Sequence, residues 1–107
     1  NQVKQESTYI LKNYVIIRTI LILNHPIVMR LLYNLQSGAF ATISGIDAIN
    51  VDQPLMQRLI ALGFRVGKQI QVMRKANFNG PLHVRIGSTD IILRESEAKL
   101  IQVTEQV

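Results

Sequence analysis

The side chains of this sequence that could bind a metal ion are few and scattered. Metal-binding histidines and carboxylates recur at short fixed spacings, but no His-x-x-x-His or Glu-x-x-His pair occurs here. A weak iron(II) site with oxygen and nitrogen ligands fits the composition, although no motif predicts one. The metal site is therefore undefined, and its candidate ligands are His25, His83, Asp47, Asp52, Asp90, Glu95 and Glu97.

Several of these side chains have a simpler structural interpretation. His83 alternates with the apolar residues Leu82 and Val84, which predicts a solvent-facing structural histidine on a strand. Glu95 and Glu97 occur beside a short predicted helical turn, where carboxylates usually form a solvated face. The default interpretation of these residues is therefore structural.

The sequence contains no arrangement that predicts catalysis. Cysteine is absent, and Ser44 precedes Gly45 without the Gly-x-Ser-x-Gly turn that presents a serine nucleophile. The segment 63–68 ends in Gly-Lys like a phosphate-binding loop, but its first glycine has the wrong spacing and Gln69 replaces the hydroxyl residue. We therefore expect a protein that is not an enzyme, with no catalytic or cofactor-binding residues.

Composition indicates a small domain with an aliphatic core. The chain has 107 residues, 48% of them hydrophobic, with no Trp and no Cys. The lack of cysteine excludes disulfides and fits a reducing cytoplasm. The net charge of +5 is spread along the chain, and only Arg74 and Lys75 are adjacent basic residues. Because nucleic-acid surfaces need clustered cations with interleaved aromatics, this scatter argues against nucleic acid as a partner.

The N-terminal part is apolar but interrupted. Lys12, Arg18 and Pro26 break the apolar run of residues 9–33, whereas a membrane-spanning helix needs about 20 consecutive apolar residues, so no span is predicted. The composition changes after Pro26, which predicts an extension over 1–28 and a domain over 29–107. We expect the extension to be dispensable and to make few contacts. Alternatively, it pairs along an open sheet edge, packs across the domain or joins two chains.

The remaining pattern predicts short strands around one helix. Asp52 suits a helix N-cap, Pro54 a first turn and Gly63 a left-handed C-terminal position, so a helix is predicted between Asp52 and Gly63. One face of this helix carries Leu55, Met56, Leu59, Ile60 and Leu62. Strands are predicted over 38–46, 69–74, 82–86, 91–93 and 100–103, a loop over 76–81 and a helical turn over 94–99.

These elements predict a mostly β fold, a small, partly open SH3-like barrel of about five strands with one short inserted helix. The strand and helix phases predict which side chains point inward. The predicted core consists of Leu59, Leu62, Ile70, Val72, Val84, Ile86, Leu93, Ile101 and Val103.

The order of motifs from Met29 to Val103 resembles the ferrous iron transport protein A family. Val66 is a departure, since many members have Pro there. The matching residues are Leu35-x-x-Gly38, Ala41-x-Ile43, Arg58-Leu59-x-x-Leu62-Gly63-Phe64, Val66-x-x-x-x-Ile70-x-Val72, Gly80-Pro81-Leu82-x-Val84, Gly87, Ile91-x-Leu93-Arg94, Ala98 and Ile101-x-Val103.

This resemblance implies a small cytoplasmic accessory protein that docks to the GTPase region of a membrane ferrous-iron transporter. The barrel also resembles the C-terminal domain of iron- and manganese-dependent repressors, although residues 1–33 are too few for the helix-turn-helix that precedes it there. A detached metal-sensing domain and a nucleic-acid-binding barrel therefore remain alternatives, and the oligomeric state is undefined.

The loop over 76–81 is the best candidate contact surface, because it presents one aromatic residue among polar ones. The alternative is that Phe78 folds back and caps the barrel. The partner-contact candidates are Lys75, Asn77, Phe78 and Asn79.

Overall fold

The computed structural model describes residues 27–106. They form six β-strands, two α-helices and one 3-10 turn. The mostly β fold with a short inserted helix confirms the predicted fold class. In chain order the elements are β1 (Ile27–Leu31), a 3-10 turn (Leu32–Asn34), β2 (Phe40–Ile46), α1 (Gln53–Ala61), β3 (Gln69–Lys75), β4 (Leu82–Ile86), β5 (Thr89–Leu93), α2 (Glu95–Ala98) and β6 (Ile101–Gln106).

All six strands belong to one antiparallel sheet. Their order is β1-β6-β2-β3-β4-β5, so β1 and β5 are the two edges. Register shifts lie between Ile43 and Gly45 on β2 and between Val72 and Arg74 on β3. Such irregularities increase local twist and bend a strand, which helps a short sheet to curl around its core.

Strand β1 was not among the predicted strands. It pairs with β6 from Ile27 opposite Gln106 to Leu31 opposite Gln102. The strand thus begins two residues before Met29, the predicted start of the domain. The rest of the predicted extension, residues 1–26, lies outside the described residues.

Helix α1 begins and ends at the predicted residues. The Asp52 carboxylate accepts a hydrogen bond from the Leu55 amide, with the two atoms 2.8 Å apart, and thereby caps the N-terminus. Gly63 has a φ of +98°, and its amide donates to the Ile60 carbonyl at 3.1 Å. The Phe64 amide donates to the Leu59 carbonyl at 3.0 Å. These two bonds form a Schellman motif, whose left-handed position favours glycine.

One residue that was predicted on the apolar face of α1 is largely exposed. Leu59 is fully buried, and Leu55 and Leu62 pack at the edge of the core, but Ile60 is 50% exposed. Ile60 immediately follows Leu59, and adjacent residues on a helix point about 100° apart. The narrow contact between this short helix and the sheet therefore buries Leu59 and leaves Ile60 largely outside.

The core is aliphatic, as the composition predicts. Every predicted core residue is buried except Leu62, which is partly buried. Burying such a side chain stabilises a fold by about 1.5–3 kcal/mol. The structure adds further buried residues: Leu32, Tyr33, Leu35, Ala41, Ile43, Phe64, Leu82, Ile91 and Ala98.

Candidate docking surface

The loop between β3 and β4 is a tight turn at the end of a hairpin. Lys75 is paired with Leu82 in the sheet, and the Ala76 amide donates to the Pro81 carbonyl at 3.0 Å. The Gly80 amide donates to the Asn77 carbonyl at 3.2 Å. Between these partners, Phe78 and Asn79 have positive φ angles of 59° and 58°. Two central residues with positive φ, closed by this hydrogen bond, are typical of a type I′ turn.

Phenylalanine is an unusual residue at this position of such a turn. Asn and Gly populate the left-handed region readily, whereas for a residue with a bulky side chain it costs roughly 1–2 kcal/mol. The Phe78 side chain is 100% exposed, so its ring gains no burial within the described part of the chain. The alternative that Phe78 folds back onto the barrel is therefore wrong.

Gly80 allows the two sides of the hairpin to approach each other. A β-carbon added at this position would lie 2.6 Å from the Ala76 β-carbon and 3.0 Å from the Asn77 carbonyl oxygen. Contacts this short require the backbone to move. Glycine at position 80 therefore helps to set the geometry in which Phe78 occupies the tip.

Tyr33 connects this loop to the body of the protein. Its hydroxyl donates a hydrogen bond to the Gly80 carbonyl oxygen, 3.2 Å away. The Lys75 ammonium lies 4.4 Å from the centre of the Tyr33 ring, and the Lys99 ammonium lies 5.6 Å from it. Both distances are within the range of cation–π attraction. Burial and the nearby Glu95 carboxylate raise the pKa of the Tyr33 hydroxyl.

The charge around the loop is positive. Lys99 is paired with Glu95 at 2.8 Å, and this carboxylate raises the pKa of Lys99. In contrast, the ion pairs found among residues 27–106 include neither Arg74 nor Lys75. No acidic residue occurs between positions 76 and 81. The base of the loop therefore carries two cations without a carboxylate partner in the described residues.

Of the sequence-based contact candidates, the structure places Lys75, Asn77, Phe78 and Asn79 together in this hairpin end. Tyr33 and Lys99 were not identified from the sequence. Tyr33 is separated from Gly80 by 47 positions, and no local spacing relates them. Only the pairing of the strands brings these residues together.

The candidate metal ligands are engaged in structural contacts. Arg85 donates to both oxygens of Asp90 at 2.6 and 3.1 Å, and His83 lies 3.0 Å from one of them. Hydrogen bonding from Arg85, followed by that from His83, lowers the pKa of Asp90 to about 2. His25 lies outside the described residues. Among the described ones, no three His, Asp or Glu side chains are grouped so as to hold a metal ion.

The other carboxylates stabilise turns and helix ends. Asp47 accepts hydrogen bonds from the Asn50 side chain and from the Asn50 and Ile49 amides, which together lower its pKa. Glu97 accepts from the Arg94 amide at 2.9 Å and from the Arg58 side chain at 2.7 Å. These contacts are local supports of the fold.

A surface cleft of about 560 Å³ lies between β2, β3 and the β4–β5 turn. Its lining contains Lys68 and Arg85 but no histidine or carboxylate, and Arg85 is bound to Asp90. The cleft therefore lacks a side chain that could act as a general base near neutral pH. Within residues 27–106 no helix has the length and apolar character needed to cross a membrane.

Comparison with known proteins points to one family. The model of the FeoA domain family matches residues 29–105. A crystal structure of Stenotrophomonas maltophilia FeoA with zinc, described as a procaryotic SH3 domain protein, is 30% identical and has a TM-score of 0.60, covering 67% of this chain and 86% of that one. Iron(II) transport protein A from Clostridium thermocellum is 32% identical with a TM-score of 0.63, covering 73% of this chain and 46% of that one.

A repressor shares the fold as well. A manganese-dependent transcriptional repressor has a TM-score of 0.65 at 22% identity, covering 72% of this chain. This chain spans only 41% of the repressor's length, so the likeness concerns one part of that protein. No curated protein matches the sequence at a significant level.

Proposed function

Because this chain belongs to the FeoA domain family, we propose that it is a small, non-enzymatic accessory protein of ferrous-iron transport. It acts in the cytoplasm by docking to the GTPase region of a membrane ferrous-iron transporter. The observation that carries this proposal is the family match over residues 29–105. The proposed contact surface is the hairpin end that contains Lys75, Asn77, Phe78 and Asn79.

The side-chain chemistry supports binding rather than catalysis. In the described residues, the candidate ligands and bases Asp47, Asp90 and Glu97 are occupied by hydrogen bonds that stabilise the fold. The hairpin end differs, because it exposes the Phe78 ring and follows Arg74 and Lys75, which have no carboxylate partner within residues 27–106. Aromatic residues and arginine are enriched at the core of protein interfaces.

The test is a direct binding measurement with two purified proteins. The full chain is titrated by calorimetry into the soluble GTPase region of the ferrous-iron transporter from the same genome. The titration is repeated for the nucleotide-free, GDP and GTP-analogue states at low and moderate salt. We expect saturable binding in at least one nucleotide state. A lack of binding in every state at both salt concentrations would contradict docking.

The likeness to the manganese-dependent repressor favours a second candidate, a metal-sensing domain that binds iron(II) or manganese(II). This candidate predicts a saturable divalent-metal site in the isolated protein. Calorimetry with each metal under anaerobic conditions separates the two functions. Tight binding of either metal in the absence of any partner would favour the sensor.

A further inference from the structure

We infer that the partner of the β3–β4 hairpin end presents an apolar socket bordered by carboxylates. The socket receives the Phe78 ring, and the carboxylates face Arg74 and Lys75. This inference rests on the proposed docking function and specifies the chemistry of the surface that the GTPase region must offer. It also assigns Phe78 as the central contact residue.

The first argument is the conformation of Phe78. The ring stands at a left-handed turn position where Asn or Gly would relieve strain, and it is 100% exposed. Within residues 27–106 this strain is offset by no burial of the ring. Strained backbone positions cluster at functional sites. An exposed phenyl ring gains free energy only when another apolar surface covers it. The matching partner surface is therefore a concave apolar one.

The second argument is the charge at the base of the loop. Arg74 and Lys75 end β3 just before the loop over 76–81, which contains no acidic residue, and their side chains point to opposite faces of the sheet on either side of the loop. Lys75 also lies 4.4 Å from the Tyr33 ring centre, which restricts its position. Carboxylates around the socket would provide the complementary charge. Complementary charges of this kind mainly raise the association rate and fix the orientation of the partners.

The third argument concerns the contacts that order the turn carrying Phe78. Tyr33 donates to the Gly80 carbonyl, two residues after Phe78, and the Tyr33 side chain is itself buried. The Gly80 amide closes the turn on Asn77. A contact residue on a turn that is already ordered loses less conformational entropy on binding. The hairpin end therefore suits insertion into a preformed socket.

A protein surface fits this hairpin end better than a lipid bilayer. Electrostatic binding to anionic membranes typically uses clusters of 4–8 basic residues. Here only Arg74 and Lys75, at the end of β3, are available beside the loop, since Lys99 is paired with Glu95. One ring and two cations match a single socket of a protein interface, where one aromatic residue often dominates the affinity.

The decisive experiment compares Phe78→Asn with Ile49→Asn in the calorimetric titration against the GTPase region. Asn is compatible with a type I′ turn, so Phe78→Asn removes the ring and preserves the fold. Ile49 is a matched control, because it is 92% exposed in another loop and lies beside Asp47 rather than beside cations. We expect Phe78→Asn to weaken binding at least about 30-fold, the effect of a central contact residue. Ile49→Asn should leave the affinity unchanged.

The charge component is tested by Lys75→Glu, with Arg65→Glu as the control at another exposed basic residue. Lys75→Glu should lower the affinity and reduce its dependence on salt, because salt screens attraction between exposed charges. Arg65→Glu should leave both properties unchanged. An equal loss in the two variants would indicate a general charge effect and overturn the assignment of carboxylates to the socket.

The outcomes distinguish this inference from the proposed function. If the wild-type protein binds and Phe78→Asn binds equally well, the socket is wrong and docking stands. If the wild-type protein binds in no nucleotide state, docking fails and the inference fails with it. If the protein binds vesicles of anionic phospholipid, and Phe78→Asn abolishes that binding, the surface belongs to a membrane and the socket is overturned.

Discussion

The Tyr33 hydroxyl donates a hydrogen bond to the Gly80 carbonyl oxygen, 3.2 Å away, and joins two segments that are 47 positions apart. Tyr33 follows β1, on the 3-10 turn, whereas Gly80 belongs to the β3–β4 turn. The same ring lies under the ammonium groups of Lys75 and Lys99. One side chain thus contacts the turn at Gly80 and restricts the ammonium groups of Lys75 and Lys99.

Replacing Tyr33 by Phe tests this hydrogen bond alone. The variant keeps the ring and its contacts with Lys75 and Lys99 but removes the donor. Loss of one hydrogen bond from a buried side chain lowers the free energy of unfolding by about 1 kcal/mol. Chemical denaturation measures this change, and amide exchange of Phe78 and Asn79 should become faster. A variant as stable as wild type would show that the bond contributes nothing.

Replacing Phe78 by Asn should stabilise the isolated protein. Asn tolerates the left-handed conformation, so the change relieves roughly 0.5–1 kcal/mol of the strain held at this position. Phe78→Val is the contrasting variant, because a β-branched side chain is more strained there and should lower the melting temperature. Thermal unfolding of both variants provides the measurement. Melting temperatures that shift in the same direction would contradict the assigned turn.

Leu59 and Ile60 provide a paired test of the helix orientation. Leu59 is fully buried in the core, whereas Ile60 is 50% exposed. Leu59→Ala should therefore lower the free energy of unfolding by about 2–5 kcal/mol. Ile60→Ala should cost less than about 1 kcal/mol, because little apolar surface returns to water. Urea denaturation of the two variants decides the matter, and equal losses would reject the burial of this face.

Gly63 tests the C-terminal end of the same helix. A β-carbon at this position would meet only the Ile86 side chain, at the ordinary contact distance of 3.8 Å, so space does not forbid a larger residue. The positive φ of Gly63 disfavours any residue with a β-branched side chain. Gly63→Val should therefore lower the free energy of unfolding by at least about 1 kcal/mol. Gly63→Asn is the matched control, because Asn tolerates this backbone conformation. An unchanged melting temperature for the Val variant would disprove the Schellman end.

Periodicity predicted the central strands but could not identify β1. In β4, the buried residues Leu82, Val84 and Ile86 alternate with the less buried His83 and Arg85, so a period of two is visible in the sequence. In β1, an edge strand, the apolar residues Ile27 and Met29 lie on one face of the sheet and are exposed there. With apolar residues on the exposed face, the sequence of β1 does not show the alternation of apolar and polar residues by which a strand is recognised. Hydrogen bonding to β6, a distant strand, holds β1 in place instead.

The candidate site was predicted only in outline. The segment 76–81 is rich in turn-forming residues, which indicates a loop but not its conformation. Asn79 and Gly80 are the favoured residue pair for the centre of a type I′ turn, but Pro81 would then occupy the closing position, where it has no N–H to donate. The pairing of Lys75 with Leu82 moves the turn by one residue, and Phe78 then takes a left-handed position. Strand register is a tertiary property, and it therefore determined the feature on which the proposed contact depends.

The last prediction concerns acid stability through Asp90 and Arg85. Two hydrogen bonds from Arg85 are the main cause that lowers the pKa of Asp90 to about 2, whereas an unfolded aspartate titrates near 3.9. Because the folded-state pKa is the lower one, this interaction stabilises the protein fully above about pH 4. Its contribution is lost progressively as the pH falls towards about 2.

The variant Asp90→Asn removes this titration while keeping a side chain of the same size. At neutral pH it should melt below the wild type, and the difference should narrow as the pH falls from about 4 towards about 2. Arg85→Gln tests whether Arg85 causes the low pKa of Asp90. In this variant, a carboxyl NMR titration should show the pKa of Asp90 returning towards its ordinary value. A melting difference that stays constant across this pH range would show that the Arg85–Asp90 pair does not contribute to acid stability.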